Sequence, residues 1–215
     1  MHKSVSNLVT IEKQIEAISN SKITLIAVTK RFESEHILPI LDHGHKHFGE
    51  NKVQEAMLKW PELKKKYKEI KLHLIGKLQT NKVKFIFPLF DYIHSLDNIR
   101  LAQKISLAQK TINYKPKIFV QVNIGNEIQK NGINENDLNS FLSTCQNELK
   151  LNIIGLMCIP PNDDMTVSYF KKLKDLNDKY KFKQLSMGMS ADYLDAVKLG
   201  STYVRIGTGI FGQRS

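Results

Sequence analysis

Runs of apolar and β-branched residues alternate with amphipathic stretches along the whole chain, and that alternation predicts a parallel sheet built from strand–helix units. The strand-like runs are Ile23–Val28, His47–Gly49, Leu72–Ile75, Tyr92–Ser95, Lys117–Val122, Ile153–Met157, Gln184–Ser186 and Tyr203–Ile206. Helical spacing covers Glu35–Asp42, Val53–Lys64, Asn81–Phe87, Asn98–Thr111, Glu135–Glu148, Val167–Tyr180 and Tyr193–Leu199. Seven helices serve eight strands, because the nine residues after Ile206 are too few for a loop and a covering helix. Upstream, Leu8, Ile11, Ile15 and Ile18 share one face of a helix over Val5–Ser19, which can fill the vacant place. Eight strands favour a closed (β/α)8 TIM-type barrel with an extra N-terminal helix. An open doubly wound sheet has the same periodicity and is the alternative. No linker, composition break or internal repeat divides residues 1–215, so a single domain is expected, near the lower limit of about 200 residues for such barrels.

Lysine and arginine number 32 against 21 aspartates and glutamates, a net charge of +11. That excess admits nucleic acid, an anionic membrane surface or small phosphorylated ligands. Only Arg31, Arg100, Arg205 and Arg214 are arginines, which leaves 32 − 4 = 28 lysines. Base-edge readout and bidentate phosphate contacts lean on the planar guanidinium, so this balance describes a solvated lysine surface and argues against nucleic acid. Cys145 and Cys158 have neither zinc-type nor CxxC spacing and read as structural thiols in a reducing compartment. The first twenty residues carry Glu12 and Glu16, no arginine and no continuous apolar core, and nowhere do 18 apolar residues run together. A soluble, cytoplasmic protein without a membrane partner is expected.

In a parallel barrel the chemistry sits at the C-terminal ends of the strands. Lys30 lies two residues beyond Leu25-Ile26-Ala27-Val28, at the barrel mouth against an apolar wall. Desolvation there disfavours the ammonium and supplies the neutral amine that a Schiff base needs; a surface lysine is the plainer reading. The last two strands are followed by Ser186-Met187-Gly188-Met189-Ser190 and by Gly207-Thr208-Gly209, which pair glycines with hydroxyls where barrels hold phosphate. Ser190 also reads as the N-cap of the next helix. Gly207 to Gly212 formally matches GxGxxG, but neither the helix nor the acidic residue of a dinucleotide site follows. His43, His45 and His47 alternate without a carboxylate or cysteine companion, so no metal is assigned; His43 and His45 are expected to decorate a loop.

Several motifs taken in order carry a resemblance. They are Ile26-Ala27-Val28-Thr29-Lys30, Phe48-Gly49-Glu50-Asn51, His73-Leu74-Ile75-Gly76 with Leu78-Gln79-Thr80-Asn81-Lys82, Gly155-Leu156-Met157, the Leu185–Ser190 segment, and Val204-Arg205-Ile206-Gly207-Thr208. With these motifs the chain resembles the pyridoxal phosphate homeostasis proteins, the YggS/PROSC family, over nearly its whole length. The resemblance implies a barrel similar to the N-terminal domain of alanine racemases, with Lys30 as the covalent Schiff-base residue for pyridoxal 5′-phosphate. It implies phosphate contacts from Ser190, Gly207 and Thr208, and it sets Arg205 opposite the pyridine nitrogen, where a guanidinium disfavours ring protonation and weakens the electron sink. Asn51 and Met157 are placed to line the cofactor, although Asn51 also suits a helix cap and Met157 a core position. Thr29, Arg31 and Lys52 depart from the serine, threonine and tyrosine common at those places.

Catalysts on the related barrel add a C-terminal domain and an opposing acid–base group. This sequence offers no room for the first, and no tyrosine or histidine is evidently placed for the second, Tyr193 and Tyr203 reading as packing residues. The expected role is therefore a carrier or buffer in cofactor homeostasis, with no catalytic residue and no metal. Pyridoxal-phosphate-dependent apoenzymes are its candidate recipients, and the resemblance favours a monomer. A weak amino-acid racemase is the alternative.

Overall fold

A computed structural model describes residues 1–127 and 129–213; Arg214 lies outside the described residues. Eight parallel strands, β1 (Thr24–Val28), β2 (His47–Glu50), β3 (Lys71–Leu74), β4 (Tyr92–Leu96), β5 (Lys117–Gln121), β6 (Ile153–Met157), β7 (Gln184–Met189) and β8 (Tyr203–Ile206), neighbour one another in chain order. β8 returns to pair with β1, from Thr24↔Tyr203 to Ala27↔Ile206. The sheet is a closed (β/α)8 barrel, and the open doubly wound alternative is excluded.

Strand alternation divides the core into two layers. Leu25 and Ala27 face the large cluster between barrel and helices, whereas Ile26 joins Tyr92, Phe119, Met157 and Tyr203 inside the barrel. The covering helices are α2 (Ser34–Asp42), α3 (Val53–Lys66), α4 (Val83–Ile86), α5 (Ile99–Ile112), α6 (Glu135–Ser143), α7 (Thr166–Lys179) and α8 (Tyr193–Lys198). Local chemistry sets their ends: the Asn98 side chain accepts the Leu101 N–H at 2.9 Å to open α5, and Asn113 closes it in the left-handed region at φ 51. The expected helix over Asn81–Phe87 is shorter, a 3-10 turn (Thr80–Lys82) leading into the single turn of α4.

After β8 only a one-turn helix follows, α9 (Thr208–Phe211). The N-terminal helix α1 (Lys3–Ile18) packs against α9, α8 and α2 and fills the remaining gap. Val5, Leu8, Ile11 and Ile15 are buried on one stripe; Ile18, expected on the same stripe, is 38% exposed because the helix ends there. Polar ties fix the docking, with Asn7 Nδ2 donating to the Ile210 carbonyl at 2.9 Å and the Tyr193 hydroxyl to Gln14.

Leu8 is fully buried at this seam. Leu8→Ala is expected to cost about 2–5 kcal/mol, read as a lower urea midpoint at unchanged m-value. A loss below about 0.5 kcal/mol, the range of ordinary surface changes, would show that α1 is not part of the cooperative core.

Candidate cofactor-binding site

β1 turns Ile26 and Val28 inward, and the same alternation carries Lys30 over the mouth of the barrel, where it is half-buried. The backbone on either side of it is clamped. Thr29 is fully buried; its hydroxyl donates to Glu50 Oε1 at 2.7 Å, and its carbonyl accepts from Lys59 Nζ at 2.9 Å. Glu50 Oε1 also accepts from Lys59 Nζ at 2.8 Å and from Trp60 Nε1 at 2.9 Å. Immediately after Lys30, Arg31 turns the chain at φ 64 and its N–H bonds to the Glu55 carboxylate. β2 and α3 thus fix the path of the chain through Lys30. The sequence does not show this brace, because Glu50 and Lys59 lie 21 and 30 positions after Thr29, Glu55 lies 24 after Arg31, and they meet these residues only after folding.

The two loops expected to hold phosphate are joined directly, since Ser190 Oγ accepts the Gly209 N–H at 3.1 Å. That leaves the Ser190 hydroxyl proton to be donated. Ser190 does not cap α8: the helix begins at Tyr193, and Asp192 occupies the N-cap position. Gly188 is required by the backbone, at φ 94 and with any Cβ 2.6 Å from Ala196 Cβ. Gly207 is not, because at φ −111 a Cβ would meet Val28 at an ordinary 3.4 Å. Gly207 lines the cavity, where a glycine backbone suits a ligand oxygen.

Lys30, Asn51, Ser190, Arg205, Gly207 and Thr208 line one cavity of about 370 Å³ at the strands' C-terminal ends, with Val28, Ile75 and Ile159 as apolar walls. Asn51 does not cap α3, whose N-cap is Lys52, so its side chain is left to the cavity wall; Gly76 packs so closely on the Asn51 backbone that a Cβ would lie 2.3 Å from its carbonyl oxygen. Met157 is the exception among the expected residues. It is fully buried inside the barrel with Ile26, Tyr92, Phe119 and Tyr203, level with Ser186 and beneath the cavity. Ile159, two residues further, takes the lining position on that strand. Lys30 and Arg205 are the titratable side chains among the lining residues. An amine, a guanidinium, two hydroxyls and a glycine backbone in one cavity with apolar walls fit a flat aromatic aldehyde bearing a phosphate.

Arg205 is 3% exposed and is held from below, Nη1 donating to Ser186 Oγ at 2.6 Å and Nη2 to the Cys158 carbonyl at 2.8 Å. Burial pushes the Cys158 thiol up to about 12, so it is inert. Below Ser186 lie His94 and His73, both fully buried, and then His47. Burial holds His94 and His73 well below the usual histidine range, with the Arg205 charge a further cause at His94. His47 is lowered to about 4, also chiefly by burial. His43, His45 and His47 do not converge. His43 is exposed at the end of α2, whereas the His45 ring is bonded to the His47 carbonyl and packed edge-on to Phe48, so it is not the loop decoration expected. A groove of about 510 Å³ opens at the opposite end of the barrel beside His47, but it lies at the strands' N-terminal ends, away from Lys30 and the paired loops.

This closed barrel, with a lysine after the first strand and joined hydroxyl–glycine loops after the last two, is of the alanine racemase N-terminal domain class, and the family of that description matches residues 6–215. Pyridoxal phosphate homeostasis proteins are similar over most of their length. That of Aquifex aeolicus is 36% identical over 199 residues, covering 88% of this chain and 86% of the relative. That of Escherichia coli is 33% identical over 230 residues, covering 100% and 98%. The chain belongs to the pyridoxal phosphate homeostasis protein family. Among solved structures, PipY of Synechococcus elongatus with PLP bound superposes with a TM-score of 0.88 at 31% identity, over 97% of this chain and 100% of PipY. Alanine racemase of Clostridium difficile superposes at 0.73 with 15% identity, over 97% of this chain and 57% of the racemase, a likeness of fold.

The depressed histidines set a pH dependence. Neutral in the fold and protonated in the unfolded chain below 6.5, they contribute stability that is complete above that pH and is lost as pH falls toward 4. Each should steepen the loss by about 1.4 kcal/mol per pH unit. Urea midpoints are expected to be level from pH 8 to 7 and to drop steeply below 6.5, less steeply in His94→Phe. Equal midpoints at pH 7 and pH 5 would show that the histidines are not held neutral.

Proposed function

We propose that this chain binds pyridoxal 5′-phosphate in the cavity at the barrel mouth and holds it as a Schiff base on Lys30, acting as a carrier or buffer in homeostasis of the cofactor. The observation that carries the reading is the convergence of Lys30, Arg205 and the joined Ser190 and Gly207-Thr208 loops on one cavity. Family membership and the PLP-bound PipY relative support the choice of ligand.

In this reading the Lys30 amine condenses with the aldehyde, a C=N bond replacing C=O and water leaving. Ser190 Oγ, Thr208 Oγ1 and the backbone at Gly207 hold the phosphate, and Asn51 forms a side wall. Arg205 presents donors to the ring nitrogen, which can then only accept. Bound in this way, the cofactor supplies a weak electron sink. No tyrosine, histidine or carboxylate stands among the lining residues to move a proton at a substrate carbon, which supports holding without turnover over a weak racemase. Residues 1–215 act as one cofactor-binding domain, cytoplasmic and monomeric, delivering to dependent apoenzymes. No helix of the described residues is long and apolar enough to cross a membrane.

Adding pyridoxal phosphate should give a visible absorption band that borohydride abolishes, with the reduced adduct mapping by mass spectrometry to Lys30 and vanishing in Lys30→Ala. A tag on another lysine overturns the assignment. Sustained product from a panel of L-amino acids, lost in Lys30→Ala, overturns the carrier reading. Thr208→Val removes one charge-assisted hydrogen bond of about 1.5–3 kcal/mol and should weaken retention about 10- to 150-fold, measured by equilibrium dialysis.

A further inference from the structure

The inside of a barrel of this kind is usually filled by branched apolar residues. Here a line of polar side chains runs along it. Ser186 Oγ lies 2.9 Å from His94 Nδ1, His94 Nε2 lies 3.0 Å from His73 Nδ1, and His73 Nε2 lies 3.0 Å from His47 Nδ1. The rings are packed between aromatics: His73 stacks on Tyr92 at 4.2 Å and His94 on Phe119 at 4.4 Å. The far end, His47, lines the groove on the opposite face of the barrel.

The direction of this line is fixed at its top. A guanidinium donates and never accepts, so Ser186 Oγ accepts from Arg205. Among the described residues His94 Nδ1 is the acceptor available to the Ser186 hydroxyl proton, so Ser186 donates to it. His94 therefore carries its proton on Nε2 and donates to His73, and His73 does the same to His47. All three rings point their Nδ1 lone pairs toward Arg205. Their dipoles align head to tail with the negative ends facing the cation, and such chains strengthen one another in a low-dielectric interior.

Arg205 needs that support. It is a buried charge without an ion-pair contact among the described residues, and the Asp192 carboxylate favours it only through space. Burying a cation without a counter-ion is costly unless dipoles take its place.

We propose that His47, His73, His94 and Ser186 are positioning residues for Arg205, a one-way hydrogen-bond relay through the barrel that solvates the guanidinium and aims its remaining donors at the ring nitrogen of the cofactor. The proposal rests on the pyridoxal phosphate site described above and deepens it. The relay, and not Arg205 alone, selects a pyridine ring with an unprotonated nitrogen.

Two measurements test it. In the cofactor-free wild-type protein labelled with 15N-histidine, NMR at pH 7.5 should show His73 and His94 as neutral Nε2–H tautomers, assigned by signals missing in His73→Phe and His94→Phe. A proton on Nδ1 of either ring, or an imidazolium, overturns the relay whatever the protein binds. In the loaded protein, 15N in the pyridine ring should report an unprotonated nitrogen. Ser186→Ala and His94→Phe should raise the protonated-to-unprotonated ratio about tenfold, one pKa unit, in samples whose Lys30 is tagged after borohydride. Ser186→Ala removes a single oxygen and guards against misfolding of His94→Phe. An unchanged ratio in tagged Ser186→Ala overturns the proposal, whereas a wild-type protein that takes up no pyridoxal phosphate overturns the binding reading instead.

Discussion

The pairing of β8 with β1 is the constraint on which the site depends. Lys30 stands near the start of the chain and Thr208 near its end, and nothing local relates them. Register Ala27↔Ile206 sets the last paired residues of the two strands side by side, so that three residues beyond one lies the amine and one or two beyond the other lie Gly207 and Thr208. A slip of one residue would turn the Lys30 side chain away from the cavity, because alternate positions face opposite sides of the sheet. The closure is reinforced from outside by α1, which packs on α9, the turn that begins at the cavity-lining Thr208. Stability at the N-terminal seam and geometry at the mouth are therefore one problem.

A second demand follows from that geometry. Arg205 is on β8 at an inward position, buried at the base of the cavity, and a charge there must be satisfied without collapsing the barrel interior onto it. A carboxylate partner would give a compact ion pair but would also present an acid–base group near the cofactor. Neutral imidazoles and a serine meet the demand with dipoles. Their cost is paid in acid stability, since the rings must stay uncharged in the fold.

Strand periodicity made the barrel legible, and the rule that chemistry lies at the C-terminal ends of its strands pointed to Lys30, Ser190, Gly207 and Thr208, which line one cavity. Met157 shows where that rule loses resolution. β6 runs from Ile153 to Met157 as its apolar content predicts, but the cavity begins beyond that end and the strand's last residue stays inside the barrel. The lining position went to Ile159 instead. Ser190 and Asn51 looked like helix caps because capping residues and ligand-binding residues are the same polar types at the same strand–helix junctions; the later starts of α8 and α3 separate the roles. The histidine line was hidden for another reason. His47, His73 and His94 stand on successive strands at inward positions, but a sequence shows their spacing along the chain and not the stagger that stacks them. Three histidines inside apolar strands were the available signal.

The brace around Lys30 and the relay beneath Arg205 act at two places in one cavity. Glu50, Lys59 and Trp60 fix the backbone at Thr29 and so set where the Lys30 side chain leaves β1. Ser186 and the Cys158 carbonyl seize the arginine head group itself and leave it little freedom. In the proposed reading the fixed guanidinium sets which form of the ring is bound, and no lining residue is an acid–base group held against a reacting carbon. A racemase needs the reverse emphasis, with fixed acid–base groups astride the reacting carbon and a ring nitrogen able to take charge. The lining of this mouth, in which Lys30 and Arg205 are the titratable side chains, supports the proposed holding role.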